Sequence, residues 1–479
     1  MNLPERFVSR MEGYFSKRPE ISAKGFFDSF RLTPERGIRI NRIKSEEKRD
    51  CEILRALGEN PNPVPWCTSG YYVGDQITGN DPYSHAGVFY QQEPSAMLPA
   101  EMLAPVPGDF ILDLCAAPGG KATRIAELLN RKGLLIANDI SADRCRPLLR
   151  NLERTGADDV VILSESPNHL SEHFPEHFDK ILVDAPCSGE GMFRRDPNAI
   201  KSWERFGVET TVLMQRDILR YANTMLRPGG VLVYSTCTFS EEENEKMAEW
   251  FLSEYPFYRT TSNAVVRGVS FTSVTGKTGE AIRIWPHISR GEGHFCIRLT
   301  KGAEEENRRK QSRDCESNSN GLSEVPDAVT NFMNGLLTRS AAEQYLERIR
   351  KHGFIINNRL HIHKRPIQEY DSLKAVKLGA YCGDIKYVSG NSIFIPSDSY
   401  SAKLSEKDVR PERRLCLCRD DERTRKYLKG ETLFASSEEQ DYLEERNHIL
   451  VLIDGFPVGF AKYENRTIKN LYPKSRRIL

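Results

Sequence analysis

Two cysteines of this 479-residue chain lie just after apolar segments, at positions where a thiol could react with a bound molecule. Cys187 ends the tetrapeptide Asp-Ala-Pro-Cys at 184–187, and Cys237 ends Ser-Thr-Cys at 235–237. Each follows a strongly apolar segment of the kind that forms a buried β-strand. A buried cysteine is usually only a small apolar side chain. Two cysteines at two strand ends indicate nucleophilic chemistry instead.

A glycine turn upstream of both cysteines predicts a site for a nucleotide-type cofactor. Residues 113–121 read Asp-Leu-Cys-Ala-Ala-Pro-Gly-Gly-Lys and lie between an apolar segment and a helical one. Glycines let the backbone approach a ligand, and a helix N-terminus offers free N–H groups. The spacing is not the G-x-G-x-x-G of dinucleotide enzymes. A thiolate could add to an unreactive ring while such a loop holds an activated methyl group.

Asp139 lies 20 residues after Gly119, at the tip of the next apolar segment. In doubly wound folds an acid at this place accepts hydrogen bonds from ribose hydroxyls. The alternative is that Asp139 only caps the helix that begins near Ser141. The glycine turn before it favours ribose binding.

Strands and helices that alternate along residues 90–300 must position these groups. The predicted strands are Phe110–Cys115, Gly133–Ile140, Val160–Leu163, Lys180–Ala185 and Val231–Thr236, and the predicted helices are Gly119–Leu129, Ala142–Thr155 and Val208–Leu226. This order predicts a parallel sheet with helices on both faces. Because the fourth and fifth strands are commonly neighbours, we expect both thiols above one pocket at the carboxyl ends of the strands.

The bulk composition is ordinary for a globular protein, with 39% apolar and 28% charged residues. A prior of ~150 residues per domain suggests about three units. We see no apolar run near the ~20 residues of a membrane span and no signal-peptide core at the N-terminus. The 11 cysteines do not suggest a disulfide framework, so we expect reduced thiols in the cytoplasm. Cys416 and Cys418 are weak evidence for a metal, and we expect none.

The net charge of +1 is not typical of a nucleic-acid-binding protein, but the basic residues are unevenly distributed along the chain. One cluster comprises Arg36, Arg39, Arg42 and Lys44, and the second is the tail 462–477 with Lys474, Arg476 and Arg477. Faces of this kind can hold a phosphate backbone or can simply be solvated surface. Tyr472, beside the tail cations, could stack on an unpaired base or pack inside its own domain.

Five stretches together resemble a known family. They are the loop at 113–121, the block at 184–191, the segment 234–244 around Cys237, Tyr-Gln-Gln-Glu-Pro-Ser-Ala-Met-Leu at 90–98, and Trp-Pro-His to Gly-Glu-Gly-His-Phe at 285–295. This set is similar to the RNA cytosine-5 methyltransferases of the NOL1/NOP2/Sun family. Within that family the chain is similar to the bacterial group of small-subunit (16S) ribosomal RNA methyltransferases designated F. The similarity covers nearly the whole chain except residues 301–325.

The resemblance implies a role for each candidate residue. Cys237 matches the nucleophile that adds to C6 of cytosine, and Cys187 matches the cysteine that assists product release. Asp184 matches an acid near N3 of the base, where protonation stabilises the adduct. The implied cofactor is S-adenosyl-L-methionine, and its contacts fall on Cys115, Ala116, Ala117, Pro118, Gly119, Gly120, Lys121, Asp139 and Asp184. A further acidic contact is expected after the third strand, where Glu165 stands in place of the usual Asp.

The implied fold is α/β, with a class I (Rossmann-like) S-adenosylmethionine methyltransferase core, a small α+β N-terminal domain and a mostly β PUA-like C-terminal region. We expect an N-terminal RNA-binding-like domain at 1–90 and the catalytic domain at 91–300. A flexible linker at 301–325, an α+β intermediate domain at 326–400 and a PUA-like RNA-binding domain at 401–479 follow. The linker would let the C-terminal part fold separately.

The expected activity is methylation of cytosine C5 in RNA. The expected partner is ribosomal RNA of the small subunit or its precursor, without DNA or membrane, and the protein is expected to be a monomer. A tRNA substrate is the alternative, and a non-catalytic RNA-binding assembly factor is another. Amino-group methyltransferases carry a D/N-P-P-aromatic block where this chain has Asp-Ala-Pro-Cys. DNA cytosine enzymes use a Pro-Cys thiol, which would make Cys187 the nucleophile.

Overall fold

The computed structural model describes residues 2–261, 269–272, 281–302, 321–388 and 390–478. Most of the predicted linker, including Cys315, lies outside these residues. Within the described ranges, every helix is too short or too polar to cross a membrane.

Fifteen α-helices are assigned within the described residues. They are α1 Glu5–Ser16, α2 Ala23–Ser29, α3 Asp50–Ala56, α4 Pro82–His85, α5 Leu98–Leu103, α6 Gly120–Leu129, α7 Ala142–Thr155, α8 Pro167–His173, α9 Pro197–Met225, α10 Glu245–Glu254, α11 Asp327–Leu336, α12 Arg339–His352, α13 Asp398–Ser401, α14 Glu422–Lys429 and α15 Ser437–Tyr442. Helix α9 is broken at Gly207, whose φ of 66° is not helical.

The same residues form 22 strands. They are β1 Gly37–Ile40, β2 Gly70–Tyr72, β3 Phe89–Gln91, β4 Phe110–Asp113, β5 Leu134–Asn138, β6 Val160–Leu163, β7 Phe178–Asp184, β8 Leu226–Thr236, β9 Tyr258–Thr260, β10 Ser270–Thr272, β11 Ala281–Ile284, β12 His294–Lys301, β13 Gly353–Ile356, β14 Arg359–Ile362, β15 Ala375–Lys377, β16 Ala380–Val388, β17 Asn391–Pro396, β18 Arg414–Leu417, β19 Leu433–Phe434, β20 Asn447–Ile453, β21 Phe456–Glu464 and β22 Thr467–Asn470.

A ten-stranded sheet forms the centre of the molecule. Its order is β10-β11-β12-β8-β7-β4-β5-β6-β15, with β9 paired to β12. Strands β4 to β8 run parallel, whereas β12 is antiparallel to β8. The chain runs outward from β4 to β6 and then returns to the other side of β4 at β7. Ligands bind at such a switch point, beyond the carboxyl ends of the strands.

The two faces of this sheet bury separate apolar clusters. Leu112, Ile136 and Val183 point into one cluster, together with the second half of α9 and part of α10. Ile111, Leu135 and residues of α5, α6 and α7 form the other. Coverage of both faces explains why the parallel strands contain apolar runs without alternation.

The N-terminal domain departs from one expectation. The alternating segment that contains β1 predicts a half-buried strand, but all four residues of β1 are buried. Arg39 donates to Gln92 Oε1 at 2.7 Å and to Thr123 Oγ1 at 2.7 Å. Arg42 pairs with Asp50 at 2.5 Å. The first basic cluster therefore turns mostly inward: Arg39 joins the domain to the catalytic core, whereas Arg42 is paired within the N-terminal domain.

The C-terminal region contains a four-stranded sheet, β13-β14-β16-β17, and a five-stranded sheet, β18-β20-β21-β22-β19. Strand β15 joins the edge of the central sheet through β6. One apolar cluster combines residues of the N-terminal domain with residues of the five-stranded sheet, among them Ile38, Leu54, Leu415, Ile449 and Phe456. This packing contradicts separate folding of the C-terminal part, because its apolar faces are shared with the rest of the chain.

Candidate active site

The two predicted reactive thiols lie side by side. Strands β7 and β8 are parallel neighbours, with Asp184 opposite Ser235, so the segments that follow them leave the sheet together. Cys187 Sγ lies 3.4 Å from Cys237 Sγ. The hydrogen bond to Cys237 and then burial raise the pKa of the Cys187 thiol well above its usual range. At this separation two thiolates would repel each other, so the two sulfurs are not ionised together.

Asp184 is held by three side chains from three different segments. Lys121 Nζ donates to Oδ2 at 2.7 Å, and Ser235 Oγ donates to Oδ1 at 2.8 Å. His294 Nε2 lies 3.5 Å from Oδ1, and the His294 side chain is only 2% exposed. Burial alone would raise the pKa of Asp184, but Lys121 and His294 outweigh it and hold this pKa below its usual range. Asp184 is therefore an ionised carboxylate in the free protein.

The glycine loop is held from outside by side chains of neighbouring segments. Gly119 has a φ of 113°, which disfavours any residue with a Cβ. A Cβ there would also lie 3.2 Å from Leu148 Cδ1. Arg39 donates to Gly120 O at 3.0 Å, and Asn151 donates to Pro118 O at 2.8 Å. These bonds occupy loop carbonyls, and the N–H groups at the start of α6 remain available to a ligand.

Two further acids stand at the predicted cofactor site. Asp139 Oδ1 accepts the Ser141 N–H at 3.0 Å, as a helix-capping role requires. Its Oδ2 is buried without a hydrogen-bond partner and has Arg144 Nη1 at 3.2 Å. Glu165 is engaged on both oxygens, by the Lys374 N–H at 2.8 Å and His169 Nδ1 at 3.1 Å. Asp139 Oδ2 is thus ion-paired with Arg144 but accepts no hydrogen bond, whereas Glu165 would have to release a hydrogen-bond partner to bind a ligand.

Glu243 orders the turn that carries Cys187, and sequence reasoning assigned it no role. Its carboxylate accepts the Ser188 N–H at 2.9 Å, Thr211 Oγ1 at 2.7 Å and Gln215 Nε2 at 3.0 Å. Cys187 is thereby fixed against β8. The sequence signal for Glu243 was its position in the block that follows Cys237.

Lys121 and His294 were also incompletely predicted. Lys121 is predicted to contact the cofactor, and the structure adds a bond from its ammonium to Asp184 that the sequence did not indicate. His294 reaches Asp184 because β12 runs antiparallel beside β8, with Phe295 opposite Thr236. That pairing joins segments about 60 residues apart and has no local sequence signal.

Three family models match the chain. Residues 3–94 match the N-terminal domain of 16S rRNA methyltransferase RsmF, and residues 100–300 match 16S rRNA methyltransferase RsmB/F. Residues 414–478 match the PUA domain of methyltransferase RsmF. The predicted fold class is confirmed, with its methyltransferase core, N-terminal domain and C-terminal PUA domain.

Curated relatives include ribosomal RNA small subunit methyltransferase F of Pectobacterium atrosepticum, 33% identical over 311 residues. That alignment covers 63% of this chain and 63% of the relative. The protein of the same name from Shewanella loihica is 36% identical over 293 residues, covering 57% of this chain and 58% of the relative. The matched part therefore spans less than two thirds of the length of either relative.

Solved structures show the same core. A methyltransferase homolog protein from Pyrococcus horikoshii is 29% identical, with a TM-score of 0.50, covering 58% of this chain and 90% of that one. NSun6 from the same organism is 24% identical, with a TM-score of 0.53, covering 63% and 99%, and supports the fold alone. With its catalytic domain and both flanking domains matched, the chain belongs to the RsmB/F family of methyltransferases.

Proposed function

We propose that this protein methylates C5 of cytosine in RNA, with S-adenosylmethionine as the methyl donor. The observation that supports this reaction most directly is the pair of thiols with sulfurs 3.4 Å apart beside the Lys121–Asp184 ion pair. Cytosine C5 is a poor nucleophile until a thiolate has added to C6. A reaction on an amino group would need no thiol, and this site offers two.

The residues at the glycine loop fit a nucleoside cofactor. Gly119 provides the open turn, α6 presents its N-terminus, and Asp139 Oδ2 is a buried acceptor without a hydrogen-bond partner. When bound, S-adenosylmethionine supplies an electrophilic methyl group. Asp139 would accept a ribose hydroxyl, and the loop N–H groups would face the remaining polar groups of the cofactor.

Cys237 carries the nucleophilic step. Its thiolate forms a bond to C6, and the electron pair of the C5–C6 double bond becomes available at C5. A proton at N3 stabilises this adduct. Because Asp184 is ionised in the free protein, the Lys121 ammonium bonded to it is the available proton donor. Asp184 then fixes the position of that donor and of the base.

Cys187 has the properties that product release requires. After C5 has been methylated, its remaining proton must leave and the Cys237–C6 bond must break. The hydrogen bond to Cys237 and then burial raise the pKa of Cys187, so a second thiol stays protonated in place without competing as a nucleophile. Once Cys237 is bonded to carbon, its negative charge no longer opposes ionisation of Cys187. Cys187 can then take part in removing the C5 proton.

The proposed substrate is 16S ribosomal RNA. Support comes from the names of the matched family models and relatives and from the matched PUA domain. Any structured RNA must release the target base from its stack, at a cost of a few kcal/mol. A tRNA substrate and a non-catalytic assembly role are the competing proposals.

Bisulfite sequencing of RNA from a strain that lacks the gene tests this proposal. We expect loss of 5-methylcytosine at one or more 16S positions, restored by the wild-type gene and not by the Cys237→Ala variant. Loss restricted to tRNA would transfer the activity to that substrate. An unchanged pattern of 5-methylcytosine in both RNAs would contradict the activity itself.

A further inference from the structure

A cavity of about 180 Å³ opens between the catalytic core and the C-terminal tail. Helix α7 contributes Arg150 and Arg154, the N-terminal domain contributes His85, and the tail contributes Tyr472 and Arg476. Small-molecule sites usually have roughly 300–1,000 Å³. This smaller volume suits a single charged group better than a whole nucleotide.

The charge in this cavity is poorly neutralised. Among the residues that the structure describes, no carboxylate lies within ion-pair distance of Arg150 or Arg154. Arg154 instead donates to neutral groups, Ser84 Oγ at 3.4 Å and Asn151 Oδ1 at 3.2 Å. Arg476 is the exception, because it pairs with Asp398 and Glu153, which are not among the residues that line the cavity. The neutral partners orient the Arg154 guanidinium but leave its charge uncompensated.

Electrostatics and an unused polar atom point to the same kind of ligand. Burial, and then the neighbouring Arg476, lower the pKa of Arg154. Burial, and then Arg154 and Arg476, lower the pKa of His85 to about 4, so His85 is neutral at pH 7. His85 Nδ1 lies 2.8 Å from the Tyr472 hydroxyl, and its Nε2 is buried without a partner. An anion in the cavity would relieve the repulsion between Arg154 and Arg476.

We propose that the cavity lined by Arg150, Arg154 and Arg476 binds one backbone phosphate of the RNA substrate. The inference rests on the proposed function, because it requires that the protein acts on RNA. Asn151 lies between the two arginines of α7 and donates to Pro118 O of the cofactor loop. A phosphate in the cavity would therefore be adjacent to the outer side of that loop.

The test measures RNA affinity of the full-length protein across a salt series, with deproteinised 16S rRNA as the probe. The variants are Arg150→Ala, Arg154→Gln and the double variant. Arg150 is exposed, so its substitution stays informative if Arg154→Gln is unstable. Arg146→Ala is the matched control, since Arg146 lies on the same helix, is 80% exposed and pairs with Asp143 of that helix.

We expect each single variant to bind RNA about three- to tenfold more weakly at low salt. The slope of log K against log salt should become shallower by about 0.7–0.9, the value for one phosphate. Because both arginines face one phosphate, the double variant should lower the slope no further. The affinity for S-adenosylmethionine and the melting temperature should stay unchanged, and the control should behave as wild type.

Two results would overturn the inference, and both can be distinguished from a failure of the proposed function. Equal slopes for wild type, Arg150→Ala and the double variant, with methylation of rRNA intact, would show that the cavity does not hold phosphate. A slope lowered by about two in the double variant would show two separate contacts instead of one site. Failure of the wild-type protein to bind or methylate any RNA would refute the proposed function as well.

Discussion

Asp113, the last residue of β4, is the most unusual ionisable side chain near the cofactor loop. It is fully buried, and neither carboxylate oxygen has a hydrogen-bond partner. Burial, and then the charge of Asp184, raise the pKa of Asp113 from 3.8 to about 8. The folded protein therefore keeps a proton here that the unfolded chain has released.

This raised pKa predicts a pH dependence of stability. Between pH 4 and 8 the folded state binds one more proton at Asp113, so the free energy of unfolding falls as pH rises. The decrease is at most about 1.4 kcal/mol per pH unit for one group. In Asp113→Asn this contribution disappears. Urea unfolding of both proteins from pH 5 to 9 should show the wild type losing stability relative to the variant. A difference in unfolding free energy between wild type and Asp113→Asn that does not change with pH would contradict the raised pKa. The control is Asp143→Asn, at an exposed carboxylate.

Asp139 is predicted to bind the cofactor ribose. Asp139→Ala removes a charged hydrogen-bond acceptor, which is worth about 1.5–3 kcal/mol or roughly ten- to a hundredfold in affinity. Calorimetric titration with S-adenosylmethionine measures this loss. Because Asp139 Oδ1 also accepts the Ser141 N–H, helix stability must be followed in parallel. A lower melting temperature with unchanged cofactor affinity would reassign Asp139 to capping.

The segments that position these side chains were largely predictable. Each of the strands β4 to β8 contains a continuous apolar run, such as Ile181–Val183 in β7, and such runs predict buried parallel strands. Adjacent strand ends then place Cys187 and Cys237 together without further information. The contact between His294 and Asp184 was not predictable, because it depends on antiparallel pairing between β12 and β8. Neither residue type nor local periodicity specifies such a partner.

The turn after β7 depends on Glu243, which leads to a further prediction. Glu243→Ala removes the acceptor of the Ser188 N–H, Thr211 and Gln215 bonds and leaves Gln215 partly unsatisfied. Cys187 then loses its fixed position, so we expect methyl transfer to fall at least about tenfold, as small misplacements cost catalysis. Cofactor affinity should change little. The exposed Glu204→Ala on α9 is the control, and wild-type turnover in Glu243→Ala would exclude this positioning role.

At the level of the whole molecule, the sequence shows which regions are globular but not how they share a core. The low-apolar segment 301–325 predicts a boundary, and the flanking compositions predict two folded parts. Nothing local indicates that β15 adds to the central sheet or that β1 packs against the five-stranded sheet. The sequence also does not show which of the basic residues are buried. Arg39 is buried although its neighbours in sequence suggested an exposed surface, and Tyr472 is buried as the packing alternative predicted.

Shared packing predicts that the C-terminal region cannot be removed without loss of stability. A protein that ends at residue 302 would lack the five-stranded sheet and would expose the apolar side chains of the N-terminal domain that pack against it, such as Ile38 and Leu54. Burial of each such side chain stabilises the fold by about 1.5–3 kcal/mol. Asp158, which is buried, would also lose its ion pairs with Lys403 and Arg348. We expect a melting temperature lower by at least about 10 °C, or no cooperative unfolding. A shortened protein with the melting temperature and cofactor affinity of the full chain would contradict this packing.

The assignment of Cys237 as nucleophile and Cys187 as the residue for release is tested most directly by trapping the covalent intermediate. Each variant is incubated with labelled 16S rRNA and S-adenosylmethionine and then separated in denaturant. Cys187→Ala should accumulate a protein–RNA adduct, whereas Cys237→Ala and the double variant should form none. Cys237→Ala should also bind the cofactor normally and transfer no methyl group. The control is Cys418→Ala, at an exposed cysteine remote in sequence from both strands. An adduct formed by Cys237→Ala, or near-normal methylation by that variant, would contradict the mechanism.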